Sequence, residues 1–294
     1  YKKKYKKIYK NISTTIFNNQ IFVSDNIGFI YSLDINSGKI IWIKNHGIPL
    51  KSKIKIFNEK IFLVNQDNRI ICLDSKTGTK VWDVRTISSF IKAQNFLALA
   101  ISKNAELFTI NSSGDLVKLS TINGQVFWSL NVTPSLFAHD KDFFESSDIV
   151  VSGEDIVFST TSSLFSYNLN NRFMNWKIDM NSTNTPIIDG NNLFIVSSNG
   201  FFVNLDKTSG KIIWSINILK ILKQKKRNTN ITGFIMASNK IYATTRNGFL
   251  IIASAVNGKT ESFKKIGNQI ITDPIISNGS LYILTKESKL FGFN

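Results

Sequence analysis

Short runs of apolar residues alternate with polar breaks along the whole chain. Runs such as 28–34 and 201–206 are rich in β-branched and aromatic residues, and apolar and polar side chains alternate in their second halves, which is typical of a β-strand. The breaks are rich in Asn, Gly and Ser, the residues that favour turns. Helical periodicity is absent, so the pattern predicts strands throughout.

These strands belong to a repeat that the tryptophans mark. Each tryptophan lies four residues after a turn position, and that position is glycine in four copies and Arg172 in the other. The five are Trp42, Trp82, Trp128, Trp176 and Trp214. A second column of turn residues lies 14 residues before the tryptophan position in all six complete copies. In the sixth copy Ser262 replaces the tryptophan. The fifth copy is predicted to contain strands at 186–189, 193–197, 201–206 and 211–216.

A repeat of about 40 residues with four short strands is typical of a β-propeller blade. Six copies are complete, and the seventh stops after its third strand. The sequence therefore predicts an all-β chain, with a basic N-terminal segment at 1–13 and a β-propeller at 14–294. Residues 1–11 are the one candidate in this chain for the missing strand. Two alternatives stay open, a seven-bladed ring closed by that segment or an eight-bladed ring truncated here.

The repeated residues have structural explanations. Each tryptophan is expected on the outermost strand of its blade, lying over the turn of its own blade and packing against the next. In three copies an aspartate precedes the turn glycine by four residues, at Asp34, Asp74 and Asp206. Its carboxylate is predicted to accept hydrogen bonds from local amides, while the glycine permits a positive φ.

Composition narrows the possible functions. The formal net charge is +16, but residues 1–10 and 220–227 together carry eleven positive charges and no acid. The rest of the chain is nearly balanced, so we expect no nucleic-acid partner. The apolar runs are too short for a membrane helix. Cys72 is the only cysteine, which excludes an internal disulfide and a multi-thiolate metal site.

Catalytic patterns are absent from the sequence. His46 and His139 are the only histidines; neither has a partner at metal-ligand spacing, and His46 is predicted to lie at the surface. No nucleophile elbow, P-loop, zinc-protease motif or dinucleotide fingerprint occurs. We therefore expect no catalytic residue, no metal and no cofactor, and predict that the protein is not an enzyme.

Variation in spacing indicates a working surface. Nearly all insertions fall in connections from the outermost strand of one blade to the innermost strand of the next, and three of these are long, at 85–95, 131–147 and 218–231. Alternating strands bring all such connections to one face of the disc, and variable loops on a rigid frame are typical of binding surfaces. The alternative is that their apolar residues plug the ring and their lysines form solvated loops.

The blade sequences LDINSGKIIW and NLDKTSGKIIW resemble the pyrroloquinoline-quinone (PQQ) repeat of dehydrogenases and of their non-enzymatic relatives. Within that family, the chain resembles the BamB-like outer-membrane protein assembly factors over its whole length. The resemblance includes the C-terminal half-blade and a penultimate blade without its tryptophan. The Lys- and Asn-rich composition resembles the alphaproteobacterial branch.

The resemblance implies a PQQ-like propeller that is a non-catalytic scaffold of the outer-membrane β-barrel assembly machinery. It implies a periplasmic lipoprotein, held at the outer membrane only through a lipid anchor upstream of this chain. The implied partners are the periplasmic domains of the barrel-inserting subunit, and unfolded outer-membrane proteins. The implied partner-binding residues are Phe90, Ile91 and Lys92 in one loop and Asp142 and Glu145 in the next.

Two other functions compete with this interpretation. The chain could be an interaction module of another envelope complex, because that role also needs only a rigid disc with binding loops. It could instead be a PQQ-dependent dehydrogenase, which would need a calcium site and a catalytic base. The single cysteine and the lack of an acidic cluster on the inner strands argue against the enzyme.

Overall fold

The computed structural model describes residues 12–86, 92–132, 144–223, 228–270 and 272–294. The chain divides into two compact units, residues 1–146 and residues 147–294. Each unit is built from antiparallel sheets whose strands follow one another in chain order. We call each sheet a blade and number the blades along the chain.

The first unit contains three four-stranded blades. Blade 1 has the strands β1 (Ile12–Phe17), β2 (Gln20–Asp25), β3 (Phe29–Asp34) and β4 (Ile40–Asn45). Blade 2 has β5 (Lys55–Phe57), β6 (Lys60–Val64), β7 (Arg69–Asp74) and β8 (Lys80–Arg85). Blade 3 has β9 (Ala98–Ile101), β10 (Glu106–Ile110), β11 (Asp115–Ser120) and β12 (Val126–Asn131).

The second unit contains three four-stranded blades and one three-stranded blade. Blade 4 has β13 (Val150–Ser152), β14 (Asp155–Ser159), β15 (Ser163–Asn168) and β16 (Met174–Asp179); blade 5 has β17 (Ile187–Asp189), β18 (Asn192–Val196), β19 (Phe201–Asp206) and β20 (Ile212–Asn217). A 3₁₀ helix at Ile218–Ile221 follows β20. Blade 6 has β21 (Ile231–Ala237), β22 (Lys240–Thr245), β23 (Phe249–Ser254) and β24 (Thr260–Lys265); blade 7 has β25 (Ile275–Ser277), β26 (Ser280–Leu284) and β27 (Leu290–Phe293).

This organisation confirms the predicted fold class: the chain is an all-β β-propeller with six complete blades and a three-stranded seventh. In blade 5 the third strand has the predicted bounds, and the other three differ by one residue at one or both ends. The repeated spacing of apolar runs and turn residues therefore locates the strands of this blade to within one residue.

The core lies between successive blades of each unit. Between blades 1 and 2, for example, Phe22 and Ile30 pack in one cluster with Ile61 and Leu63, and all four are fully buried. Each such side chain contributes about 1.5–3 kcal/mol when removed from water. The second and third strands of a blade supply these residues from both faces. These strands therefore carry more apolar residues than a strict alternation of apolar and polar positions would give.

The tryptophans join consecutive blades, and the predicted turn was wrong. Trp42 of blade 1 lies over the turn of blade 2, because a Cβ added at Gly78 would be 2.7 Å from the indole Cε3. The indole Nε1–H donates a hydrogen bond to the Ser75 carbonyl of that turn, at 3.1 Å. Equivalent contacts join Trp82 to Gly124, Trp176 to Gly210 and Trp214 to Gly258. The covered turn therefore belongs to the following blade, because the outer strand projects its indole across the gap between sheets.

The turns between the third and fourth strands follow the predicted chemistry. Asp74 Oδ1 accepts hydrogen bonds from the Thr77 amide and hydroxyl, both at 2.8 Å. Gly78 has φ +66° and donates its amide to the Asp74 carbonyl. In blade 4, Arg172 adopts φ +66° at the equivalent position, although the left-handed region favours glycine.

These turn aspartates make folding sensitive to acid. Hydrogen bonds from Thr77 lower the pKa of Asp74, and hydrogen bonds from Ser37 and Ser209 lower the pKa of Asp34 and Asp206. A lowered pKa in the folded state contributes stability above the unfolded pKa of about 4, and this contribution is lost as the pH falls through the folded value.

We expect the triple variant D34N/D74N/D206N to lose less unfolding free energy below about pH 4 than the wild-type protein does. Urea denaturation at a series of acidic pH values measures this difference. The same pH dependence in both proteins would contradict the assigned role of the three carboxylates.

Candidate functional site

One hydrogen bond recurs in every complete blade and fixes where the connection after that blade begins. In each complete blade, the residue after the outermost strand donates its amide to the turn between the second and third strands. In blade 2 this bond joins the Thr86 amide to the Asn68 carbonyl, at 3.1 Å. Within each unit, these connections therefore leave their sheets at the end where the second and third strands turn. We call that end of a blade its loop face.

The connection after blade 2 is anchored on both sides of its tip. Thr86 donates its amide and its hydroxyl to the Asn68 carbonyl. On the other side, the Ala93 amide donates to the Gln66 carbonyl at 2.7 Å. Ala93 and Leu97 are buried in the core between blades 2 and 3. The ends of this loop are therefore fixed to blade 2.

Asn68 joins this anchor to the next blade. It is fully buried with φ +56°, in a column where most blades have glycine. Its Nδ2 donates to Ser112 Oγ at 2.8 Å, and its Oδ1 accepts from the Ser112 amide at 2.9 Å. Asparagine tolerates the left-handed region better than most residues, so this position can keep the turn geometry and also bridge blades 2 and 3.

Lys92 lies at the loop face of blade 2, where its ammonium is 3.8 Å from Asp67 Oδ1. The Lys92 side chain is 64% exposed and the Asp67 side chain 22% exposed. Arg85, at the other end of the same loop, donates its Nε–H to the Asp67 carbonyl at 3.4 Å. Asp67 thus contacts both ends of the connection.

Three of the other four predicted contact residues lie outside the described residues. Phe90, Ile91 and Asp142 are outside the described residues, as is His139. Glu145 is described and half-buried. Among the described residues, no ion pair within 4.0 Å joins Lys92 to Glu145, so the two loops are not linked through these charges.

The connection after blade 5 combines buried apolar residues with outward lysines. The 3₁₀ helix begins after Asn217, whose Oδ1 accepts the Leu219 amide at 3.0 Å. Ile218, Leu219 and Leu222 are buried in the core of the second unit, whereas Lys220 is exposed. In the described part of this connection, the apolar residues therefore pack in the core of the second unit.

Two reactive side chains of the described residues, His46 and Cys72, are withdrawn from solvent. His46 is half-buried with its Nε2 atom out of contact with solvent, and burial lowers its pKa. Burial raises the pKa of Cys72 to about 12, so it is protonated at neutral pH and unreactive. Among the described residues, no three His, Cys, Asp or Glu side chains are grouped for metal binding. Nor does that part of the chain contain a helix of the length and apolarity needed to span a bilayer.

Sequence reasoning missed Asp67 and Asn68 as residues that support the loop. One signal was present, because Asn68 occupies a column where glycine is common. An asparagine there can use its side chain as well as its backbone. The contact of Asp67 with Lys92 had no such signal, since the two residues are brought together only by the path of the loop.

Comparison with known proteins identifies relatives along most of the chain. A family model described as "Outer membrane protein assembly factor BamB" matches residues 8–216. The assembly factor BamB of Moranella endobia is 21% identical over 300 residues, covering 94% of this chain and 72% of that relative. BamB of Escherichia coli is 21% identical over 336 residues, covering 96% of this chain and 84% of that protein.

Solved structures share the fold. The crystal structure of BamB from Moraxella catarrhalis superposes with a TM-score of 0.79 at 14% identity, covering 96% of this chain and 83% of that one. Sqt1 of Saccharomyces cerevisiae gives a TM-score of 0.73 at 12% identity, covering 96% and 82%. Two differently named proteins match similarly well, so these structural matches establish the propeller alone.

Proposed function

Because this chain belongs to the BamB family of outer membrane protein assembly factors, we propose that it is a non-catalytic, protein-binding scaffold of the outer-membrane β-barrel assembly machinery. The family match over residues 8–216 carries this proposal. We place the protein in the periplasm, as a lipoprotein held at the outer membrane through an upstream lipid anchor. Its partners are the periplasmic domains of the barrel-inserting subunit, and unfolded outer-membrane proteins.

The loop face supplies the docking surface in this proposal. The loops at 85–95 and 131–147 contact the barrel-inserting subunit, through Phe90, Ile91 and Lys92 in the first and Asp142 and Glu145 in the second. Aromatic and charged side chains are the groups on which protein interfaces depend. The anchoring of the first loop to blade 2 supports this role, because a loop with fixed ends loses less conformational entropy when it binds.

Two substitutions test this surface. We expect the variant F90A/K92E to bind the periplasmic domains of the barrel-inserting subunit at least about tenfold more weakly than the wild-type protein, because it removes an aromatic contact and reverses a charge. Isothermal titration calorimetry gives the two dissociation constants. Circular dichroism and the denaturation midpoint establish that the variant is folded.

Lys39 provides the matched control. It is exposed in the turn between β3 and β4, at the opposite end of blade 1 from the loop face, so K39E makes the same charge change away from the proposed surface. Unchanged affinity in F90A/K92E, or equal weakening in K39E, would contradict the proposed docking surface.

A further inference from the structure

One position of the repeat lies where each outermost strand ends at the loop face. Its amide donates to the turn between the second and third strands, at 2.8–3.1 Å in the six complete blades. The side chain there is apolar or threonine in five blades, at Thr86, Val132, Met180, Ile218 and Ile266. Three of these five are buried and the other two are half-buried. Blade 1 has His46 instead, and such a departure from a repeated packing position is typical of a functional residue.

The surroundings of His46 favour a neutral ring. The side chain is half-buried, and its Nε2 atom has no hydrogen-bond partner among the described residues and no contact with solvent. A protonated imidazole carries an N–H at both ring nitrogens. Protonation would therefore leave a charged donor at Nε2 without an acceptor, which is unfavourable for a buried group.

The charges near His46 act in the same direction. Burial is the largest cause that lowers its pKa, and the charges of Lys80 and Lys44 add to it. Lys44 is on β4, two residues before His46, and Lys80 begins β8 of the neighbouring blade. Asp83 pairs with both Lys80 and Arg69, so this carboxylate is shared by two cations. A protonated His46 would thus add a third positive charge near two ammonium groups.

The turn that receives the His46 amide has one carboxylate, Asp25, at its start. The Oδ1 atom of Asp25 accepts the amides of Ile27, Gly28 and Phe29 at 2.9–3.0 Å, so this carboxylate binds the backbone of its own turn. Among the described residues, none of the groups that act on the pKa of His46 is acidic.

The connection that begins at His46, residues 46–54, packs along two blades. A Cβ added at Gly28 would be 2.9 Å from the Ile48 carbonyl oxygen, so the backbone of the connection lies directly on the turn of blade 1. Leu50 and Ile54 are buried in the core between blades 1 and 2. A displaced His46 would therefore disturb contacts with both blades.

Gln66 joins this connection to the loop after blade 2. The Gln66 amide donates to the Pro49 carbonyl at 2.8 Å, and the Gln66 carbonyl accepts the Ala93 amide at 2.7 Å. Pro49 belongs to the connection, and Ala93 anchors the loop at 85–95. One residue of blade 2 is therefore bonded to both segments.

Lys51 makes a second link between the two segments. Its carbonyl accepts the Leu97 amide at 2.9 Å, and its ammonium donates to the Gln94 carbonyl at 2.8 Å. The anchored end of the loop at 85–95 therefore depends on the position of the connection 46–54.

We propose that His46 makes the loop face sensitive to acid: its protonation displaces the connection 46–54 and loosens the anchored end of the loop at 85–95. Histidine is the side chain whose ordinary pKa places its charge change between about pH 5 and 8. The neutral ring keeps the loop face formed, and the imidazolium leaves its packed position for solvent. The effect on binding rests on the proposed function, because a loosened docking loop binds the protein partner more weakly.

The variant H46M tests the effect of protonation on stability. Blade 4 has methionine at this position, so the substitution removes the titrating group and keeps an apolar side chain. Because folding lowers the pKa of His46, the unfolded chain binds the proton more readily, and wild-type stability falls as the pH drops below about 6.5. We expect the wild-type unfolding constant to rise at least about threefold more than that of H46M between about pH 7.5 and 5.

Urea denaturation measures these constants, and two further variants control the comparison. H139Q removes the other histidine and should keep the wild-type pH dependence. H46Q keeps an uncharged polar side chain and should behave like H46M, so it carries the test if H46M does not fold. Equal rises in the wild-type protein and H46Q, or loss of the pH dependence in H139Q, would overturn the inference. The turn aspartates do not interfere, because they titrate below about pH 4.

Amide hydrogen exchange, followed by NMR and corrected for the intrinsic effect of pH, tests the coupling to the loop. We expect the protection of the Gln66, Ala93 and Leu97 amides to fall between about pH 7.5 and 5.5 in the wild-type protein and to be retained in H46M. The Val132 amide, in the equivalent bond of blade 3, should keep its protection in both proteins. Unchanged protection of the first three amides would overturn the coupling.

Isothermal titration calorimetry with the periplasmic domains of the barrel-inserting subunit separates this inference from the proposed function. We expect the wild-type affinity to fall at least about threefold more than that of H46M between about pH 7.5 and 5.5, since titration of the partner affects both proteins equally. Equal losses would overturn the control of binding by His46 and leave the proposed function intact. Absence of binding by both proteins at about pH 7.5 would contradict the proposed function, while denaturation and hydrogen exchange still decide the role of His46.

Discussion

Replacing Trp214 by alanine is expected to lower the free energy of unfolding by about 3–5 kcal/mol, the cost of truncating a large aromatic side chain in a packed core. Its ring centroid is 4.7 Å from that of Phe202, in an edge-on contact, and 6.2 Å from that of Phe194. The indole also lies on the turn of blade 6, where a Cβ added at Gly258 would be 2.6 Å from its Cζ3 atom. Alanine would remove the contacts with the two rings and with the turn, and it would leave a cavity in their place.

Chemical denaturation of the wild-type protein and W214A measures this cost. Phe263 offers a matched control, because it is an aromatic residue on the outermost strand of blade 6 and is 45% exposed. F263A should cost less than W214A, because nearly half of its side chain is exposed and its ring contacts that of Phe249 only at 6.1 Å between centroids. A cost below about 1 kcal/mol for W214A, or a larger cost for F263A, would contradict the account of packing between blades.

The second large effect is expected at Gly78. A Cβ there would be 2.7 Å from the Trp42 ring, and alanine would have to adopt φ +66°. The left-handed conformation costs about 1–2 kcal/mol, and forcing a methyl group into a packed contact adds about 1–3 kcal/mol. We therefore expect G78A to be destabilised by about 2–5 kcal/mol, the sum of these two costs.

Gly38 separates these two costs. It occupies the same turn position in blade 1 with φ +67°, but no atom lies within 4 Å of its added Cβ. G38A should therefore show the conformational cost alone, about 1–2 kcal/mol. Urea denaturation of both variants gives the difference. Equal destabilisation would mean that the tryptophan does not press on the turn of the following blade.

The repeat made the fold predictable from sequence. The tryptophans and turn glycines recur at fixed spacing because the same contact between neighbouring blades recurs along the chain. The positions of the strands follow from the repeated spacing of apolar runs and turn residues within each copy. The turn that each tryptophan covers could not be predicted, because the sequence does not show whether the indole points back at its own sheet or across to the next one. The structure gives the second arrangement, as Trp42 and Gly78 show.

The sequence predicted where the candidate site lies, but not which contacts form it. Connection lengths indicated the face that varies, and Lys92 does lie at the loop face, 64% exposed. The pairing of Lys92 with Asp67, and the proximity of Lys51 to Gln94, depend on the path of irregular loops. Such contacts between residues distant in sequence have no periodic signal.

Our central proposal is that this protein is a scaffold rather than an enzyme. Its most direct test is a pull-down of envelope extract on the purified chain, together with a titration of the same preparation with pyrroloquinoline quinone and calcium. We predict recovery of the barrel-inserting subunit and no quinone binding. Quinone binding at micromolar affinity, with no recovery of the subunit, would contradict the claim and indicate a quinone-dependent dehydrogenase.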